Sequence, residues 1–328
     1  MHVLLMTVLL QGGQTSHMVD LAIGLKRLGV SVSFLLIGQK QYLALAKEVA
    51  DRLKKYKIPI YTQANIVSHL PSVDIFHAHS SWTFELALKW SERYKKAVVF
   101  TIHGIGFKND NLLSKADALI AVGRRTKDEL PPSVVNKTVV ITNGVDLSRF
   151  QPPKKINNPY KVLYLSRLTP SKELGLKTLA EAVNEAGMEL YVASDKQIEV
   201  NSPVKFLGWI EDVAPLLQEM DIIFAVGRSL REGMASSLAC FILGRMYGGI
   251  INSTEFNLND LDLSGFTGVE PDKNTILKEL KLLKDESYLI SCQKTARLLA
   301  EKLFSLDAMA QATLYVYEAT YVKKQFRF

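Results

Sequence analysis

Cysteine is scarce in this chain: Cys240 and Cys292 are the only two among 328 residues. They allow one bridge at most in a chain too large to need it, so reduced thiols and a cytoplasmic setting are expected. No CxxC and no Cys/His zinc spacing is present. Long apolar runs are lacking too. The apolar opening over 1–10 has no basic leader and falls well short of the roughly 18 residues of a spanning helix, so it reads as a buried strand. Low-complexity segments and repeats of roughly 20–50 residues are also missing. Against these absences stand 48% hydrophobic and 22% charged residues, which exclude disordered, collagen-like and disulfide-scaffold chains. The length suits two domains of about 150 residues each.

The net charge of +7 is unevenly spread. Residues 1–150 hold 19 Lys+Arg against 11 Asp+Glu, whereas the remainder holds 21 against 22, so the whole excess lies in the first half. Lys89, Arg93 and Lys96 recur at helical spacing, and Lys40, Lys47, Arg52, Lys54, Lys55 and Lys57 cluster on another segment. Such a face suits an anionic bilayer at about 1 kcal/mol per basic residue, or is simply a solvated lysine face. Trp82, Trp90 and Tyr94 are candidate anchors, although Leu86, Trp90 and Tyr94 at four-residue spacing fit a core stripe better. No recognition motif accompanies the charge, so nucleic acid is not an expected partner.

The first half alternates short apolar runs with amphipathic helices, the pattern of a parallel sheet covered on both faces. Strands are expected over 3–10, 31–37, 74–78, 97–102, 116–122 and 138–142, with helices over 16–28, 39–57 and 83–95. Periodicity stops at 149–159, where Pro, Asn and Lys accumulate as in an exposed linker. A second series follows, with strands over 161–165, 189–193, 204–206, 221–225 and 249–252 and helices over 174–186, 213–219 and 275–283. A long amphipathic helix over 305–323 ends the chain. The expected division is an N-terminal domain over 1–154, a second over 155–304, and a terminal helix over 305–328.

Ligands of such sheets sit beyond the strand C-termini, which makes three loops informative. Gln11-Gly12-Gly13-Gln14-Thr15-Ser16-His17 offers glycines and a helix start to an anion, although a tight turn capped by Ser16 explains it nearly as well. Ser166-Arg167-Leu168-Thr169-Pro170-Ser171-Lys172 can set two cations, Arg167 and Lys172, on one diphosphate. Val226-Gly227-Arg228-Ser229-Leu230-Arg231-Glu232-Gly233 places a carboxylate at a helix that can accept both hydroxyls of a ribose, or merely cap that helix. Histidines follow strands at His77, His79 and His103, and His17 lies in the first loop. Each can orient an acceptor hydroxyl or be a satisfied core histidine. Asp260-Leu261-Asp262 looks like a metal motif but lies in a polar loop with no strand leading into it, so no essential metal is expected.

Several of these segments occur in an order that resembles a known family. Gly12-Gly13 followed by Asp20-Leu21-Ala22-Ile23-Gly24-Leu25, then Ile141-Thr142-Asn143-Gly144-Val145-Asp146 with Phe150 and Pro152, resembles the first domain of a GT-B glycosyltransferase. Arg167 with Lys172, Lys205-Phe206-Leu207-Gly208-Trp209 and Glu232-Gly233-Met234-Ala235 resemble the second, and Phe304-Ser305 the start of the closing helix. The similarity is to the retaining glycosyltransferase family four. It implies two Rossmann-like doubly wound α/β domains facing a central cleft and closing about a hinge.

The resemblance further implies transfer of a hexose-type sugar, with retention, from a nucleotide donor (UDP-sugar first, GDP-sugar second) to a hydroxyl of a glycan or lipid-linked glycan. Arg167 and Lys172 would hold the diphosphate, Glu232 the ribose, Gly208 and Trp209 the base, and Gly227, Arg228 and Gly233 the backbone and charge around them. Gly12 and Gly13 would lie under the phosphates, and His103, ahead of His17, His77 and His79, would face the acceptor. No cofactor beyond the donor is implied, and a peripheral position on the inner membrane face is compatible. One departure stands out: the family's two glutamates eight positions apart are one here, with Phe224 or Cys240 at the other position. A sugar-nucleotide epimerase of the same fold and a catalytically degenerate partner subunit are the alternatives.

Overall fold

The computed structural model describes residues 1–9, 13–38, 43–63, 65–104, 106–107, 109–255 and 261–326. The chain divides into two compact units: residues 1–144 with 306–328, and residues 145–305. The division falls after Gly144, ahead of the linker expected around 154. The physical reason is that Val145 and Phe150 are core residues of the second unit, while Arg149 pairs with Asp212 at 2.7 Å.

In the first unit the chain runs β1 (His2–Val8), α1 (Gly13–Arg27), β2 (Ser31–Ile37), α2 (Leu43–Lys55), β3 (Ile60–Tyr61), β4 (Ile75–Ala78), α3 (Ser81–Tyr94) and β5 (Ala97–Ile102). It continues with α4 (Asp110–Leu113), β6 (Ala118–Ala121), α5 (Arg124–Asp128), α6 (Pro132–Val135) and β7 (Thr138–Val140). The seven strands are parallel in the order β3-β2-β1-β4-β5-β6-β7. Their near-continuous apolar runs follow from burial on both faces. One face packs Met18, Val49 and Leu53 from α1 and α2; the other packs Phe84 and Ala87 from α3. Leu86, Trp90 and Tyr94 join that second core as half-buried residues, so of the proposed anchors only Trp82 is exposed.

The second unit runs β8 (Lys161–Leu165), α7 (Pro170–Glu185), β9 (Glu189–Ala193), β10 (Lys205–Gly208), α8 (Ala214–Leu217), β11 (Ile222–Ala225), α9 (Gly227–Ala235), β12 (Ala239–Leu243), β13 (Tyr247–Ile250), α10 (Lys273–Leu282) and α11 (Glu286–Leu303). Its sheet order is β10-β9-β8-β11-β12-β13. All pairings are parallel except β12 with β13. The strand expected over 249–252 begins earlier and runs antiparallel, because the short link 244–246 cannot carry a crossover. Helix α11 is capped by Asp285 and buries Leu289, Cys292, Ala296, Leu299 and Ala300 on one side.

The last helix, α12 (Leu306–Gln325), belongs to the first unit, where Met309 and Tyr317 enter the core beside α1. The approach is close at Gly24: a Cβ there would stand 2.6 Å from Leu306 Cδ2 and 2.7 Å from Ala310 Cβ. No described helix is long and apolar enough to cross a membrane.

Candidate functional site

Strand order locates the functional ends of both sheets. In the first, β1 lies between β2 and β4; in the second, β8 lies between β9 and β11. Connections leave these neighbours in opposite directions, which opens a crevice at the strand C-termini. Most of the expected site residues that are described lie at or beyond strand C-termini, at these reversals or on strands near them.

In the first unit, α1 begins at Gly13 directly beyond β1; Gly12 lies outside the described residues. Gln14 fixes this corner by donating from Nε2 to the His79 carbonyl at 2.7 Å and to Thr7 Oγ1 at 3.1 Å. His79 follows β4 and His103 follows β5, so adjacent parallel strands bring them together. His79 Nδ1 stands 2.9 Å from His103 Nε2, and the His17 ring lies 4.9 Å from the His103 ring centre to centre. His77, inside β4, is fully buried. Its Nδ1 meets the Tyr317 hydroxyl at 2.5 Å and its Nε2 the Thr101 hydroxyl at 2.7 Å. Of the four histidines expected on the acceptor side, three therefore converge at the strand ends, while His77 is a buried support with both nitrogens engaged. Tyr317 and Thr101 carry no sequence signal beyond their places in an amphipathic helix and an apolar strand.

Burial, reinforced by the neighbouring His103, pushes the His77 imidazole down to about 3. Burial alone takes His103 to about 4. His79 is held well below the ordinary histidine range by burial and by the surrounding rings of His77, His103 and His17. These three rings are neutral at pH 7, each able to give one hydrogen bond and accept another.

The basic face is thinner than its composition suggests. Arg52 donates to the buried Asp20 carboxylate at 2.7 Å, Lys96 faces Asp74 at 3.8 Å, and Lys40 lies outside the described residues. Lys47, Lys54, Lys55, Lys57, Lys89 and Arg93 are exposed.

In the second unit, Arg167 leaves β8 exposed to solvent. Lys172, in the first turn of α7, donates to Ser166 Oγ at 2.7 Å and to the Arg167 carbonyl at 3.3 Å. Burial lowers its amine, Arg167 lowers it further and Asp195 opposes both. Asp195 also holds the loop by accepting from the Leu168 amide at 2.8 Å. Two cations thus meet at a helix N-terminus, a favourable place for a diphosphate. Gly208 ends edge strand β10 at φ 72°, a left-handed conformation that suits glycine, and Trp209 after it is 38% exposed. Arg228 Nε donates to Glu232 Oε1 at 2.8 Å, both side chains about nine-tenths buried one helical turn apart. A Cβ on Gly233 would stand 2.6 Å from Ile223 Cγ2, so this helix lies tight on β11.

Phe224 and Cys240, the two positions considered for the absent glutamate, are both fully buried strand residues. Phe224 stacks on Phe241 with ring centres 4.3 Å apart. Val226 alone connects β11 to α9, so the connection leaves no loop for a carboxylate, and counting eight residues back from Glu232 ends inside the sheet. Asp262 of the apparent metal motif accepts from Ser264 N and Thr267 Oγ1, the bonds of a turn; Asp260 lies outside the described residues.

Residues 11–149 match the family model Glycosyltransferase Family 4. A search of curated proteins gives no match. Among solved structures, the chain is similar to HepE of Anabaena in complex with UDP and glucose, at 16% identity and TM-score 0.72, over 97% of this chain and 100% of that one. A glycosyltransferase from Rickettsia africae matches at 19% identity and TM-score 0.65, over 97% and 98%. Sucrose-phosphate synthase from Thermosynechococcus elongatus matches at 16% and 0.64, over 98% and 99%. Taken with its two doubly wound sheets, the chain has the GT-B fold, and its first half matches glycosyltransferase family four.

Proposed function

We propose that the protein is a nucleotide-sugar-dependent glycosyltransferase that moves a hexose-type sugar to an acceptor hydroxyl with retention. The observation that carries this reading is the pairing of Arg167 and Lys172 at the N-terminus of α7, beside the strand reversal of a GT-B second unit. These cations neutralise the diphosphate as the bond from the sugar C1 to its phosphate oxygen breaks. The acceptor oxygen bonds to C1 on the same face, and its proton passes to the departing diphosphate oxygen. Glu232 takes the ribose after exchanging its Arg228 contact, and Trp209 offers a flat apolar surface to the base. UDP is the favoured nucleotide, in line with the UDP bound to the Anabaena neighbour. His103, half-exposed beside His79 and His17, orients the acceptor. Diphosphate handling by Arg167, Lys172 and a helix N-terminus requires no metal.

The second unit, residues 145–305, is the proposed donor domain, and the first, residues 1–144 with 306–328, the proposed acceptor domain. The acceptor is a glycan or lipid-linked glycan, presented at the inner face of an anionic membrane to the exposed lysines of α2 and α3; cosedimentation with anionic but not neutral vesicles tests this. Direct connection of β11 to α9 through Val226 favours a second reading, a degenerate partner subunit that binds nucleotide weakly or not at all. A thermal-shift panel of UDP, GDP, ADP and their sugars, followed by a transfer assay with the ligand that stabilises, decides. Stabilisation followed by transfer supports the enzyme, whereas weak or no stabilisation by any nucleotide removes it and supports the subunit.

A further inference from the structure

Four of the six histidines of the chain gather at one end of the first sheet, and a diphosphate reaction has no evident use for so many. We propose that His17, His79 and His103 bind a divalent transition-metal ion through one ring nitrogen each, with zinc the closest match in ligand type. The three rings come from three separate elements: α1, the end of β4 and the end of β5. One nitrogen from each lies within 4.8 Å of the others. Tetrahedral zinc with Zn–N bonds of about 2.0–2.1 Å needs nitrogens about 3.4 Å apart. The His79 and His103 nitrogens already stand at 2.9 Å. The widest separation therefore needs to close by at most about 1.4 Å.

Hydrogen-bond accounting points the same way. Two neutral rings facing each other through His79 Nδ1 and His103 Nε2 share one proton between two nitrogens. The remaining nitrogen of His79, Nε2, is buried and has no hydrogen-bond partner among the described residues. A cation bound between the facing nitrogens gives both lone pairs a partner, which one shared proton cannot do, and leaves Nε2 of His79 to carry that ring's proton. His77 is excluded as a ligand because both its nitrogens are engaged; it backs His79, with ring centres 4.1 Å apart. The donor set is all imidazole, which selects zinc, copper, nickel or cobalt over magnesium and calcium. His103 is the least buried of the three rings, so a fourth ligand such as water would reach the ion from its side. The ion would lie in the first unit and takes no part in diphosphate handling by Arg167 and Lys172; with Nε2 of His103 on the ion, Nδ1 is the nitrogen left to meet an acceptor. Its binding does not rest on the proposed sugar transfer.

Cobalt(II) is a suitable probe, added to the full chain purified without a histidine tag. One equivalent should produce visible d–d absorption of a nitrogen-ligated, low-coordinate ion, and zinc should displace it. His17→Ala and His103→Ala should each weaken cobalt binding more than ~100-fold, beyond what loss of an outer partner of a metal ligand typically costs. His69→Ala, at an exposed position outside the cluster, should leave it unchanged, and circular dichroism should show each variant folded. If a variant fails to fold, the corresponding His→Gln change and the wild-type spectrum serve instead. Absence of the cobalt band in the wild type, or a band that survives both cluster substitutions, overturns the proposal.

Discussion

The hydroxyl of Tyr317, on the last helix, lies 2.5 Å from Nδ1 of His77 in the first sheet, across 240 residues of sequence. With Thr101 at Nε2, it satisfies a fully buried imidazole without charging it. Tyr317→Phe removes one partner and leaves the ring nitrogen unmet, at a cost of about 1–3 kcal/mol. Urea unfolding measures it directly; an unchanged midpoint and slope would contradict the assigned bond.

The lowered pKa values of His77, His79 and His103 make stability depend on pH. Between about 6.5, where free histidine titrates, and the folded values of about 3 for His77 and about 4 for His103, the unfolded chain binds protons that the native chain does not. Stability is therefore fully present above pH 6.5 and is lost as pH falls toward 4, at up to about 1.4 kcal/mol per pH unit for each ring. Denaturant titrations at pH 7, 6 and 5 should show this decline, and a flat profile would argue against buried neutral rings.

At Gly24, α1 and α12 meet with no room for a side chain. Gly24→Val should cost about 1–3 kcal/mol through overpacking against Leu306 and Ala310. Hydrogen exchange should quicken first over 306–325, ahead of the central strands. Uniform loss of protection across both units would show that the contact is not local.

Arg167→Ala should leave thermal stability nearly unchanged, since the side chain is exposed. It should lower transfer roughly 100-fold or more and reduce the shift given by UDP. Lys172→Ala should do the same and also loosen the loop, because its ammonium bonds Ser166 and the Arg167 carbonyl. Full activity in Arg167→Ala would remove the diphosphate role.

Much of the fold was readable because parallel strands buried on both faces leave apolar runs, as in 97–102, and amphipathic helices leave a 3.6-residue period. Helix α11 carries the same signal at Leu289, Cys292, Ala296 and Leu299. The site was harder to read. His17, His79 and His103 each stand beside a strand end in the sequence, but their meeting follows from β1, β4 and β5 being neighbours, which no local pattern encodes. Arg52 looked like part of a free basic face because its partner Asp20 lies on another helix. Eight residues before Glu232 the chain is still inside β11 at Phe224, and a count of residues does not register where a strand ends.

The second unit is inserted between Gly144 and Leu306 of the first. During synthesis, at about 5–20 residues per second, that inserted unit can complete its own core while the first is still without α12. The seven-stranded sheet must wait with Gly24, His77 and one flank of α1 uncovered until the end of the chain emerges. A nascent chain stalled before 306 would expose that flank to chaperones and proteases, although every strand of its sheet had already been made.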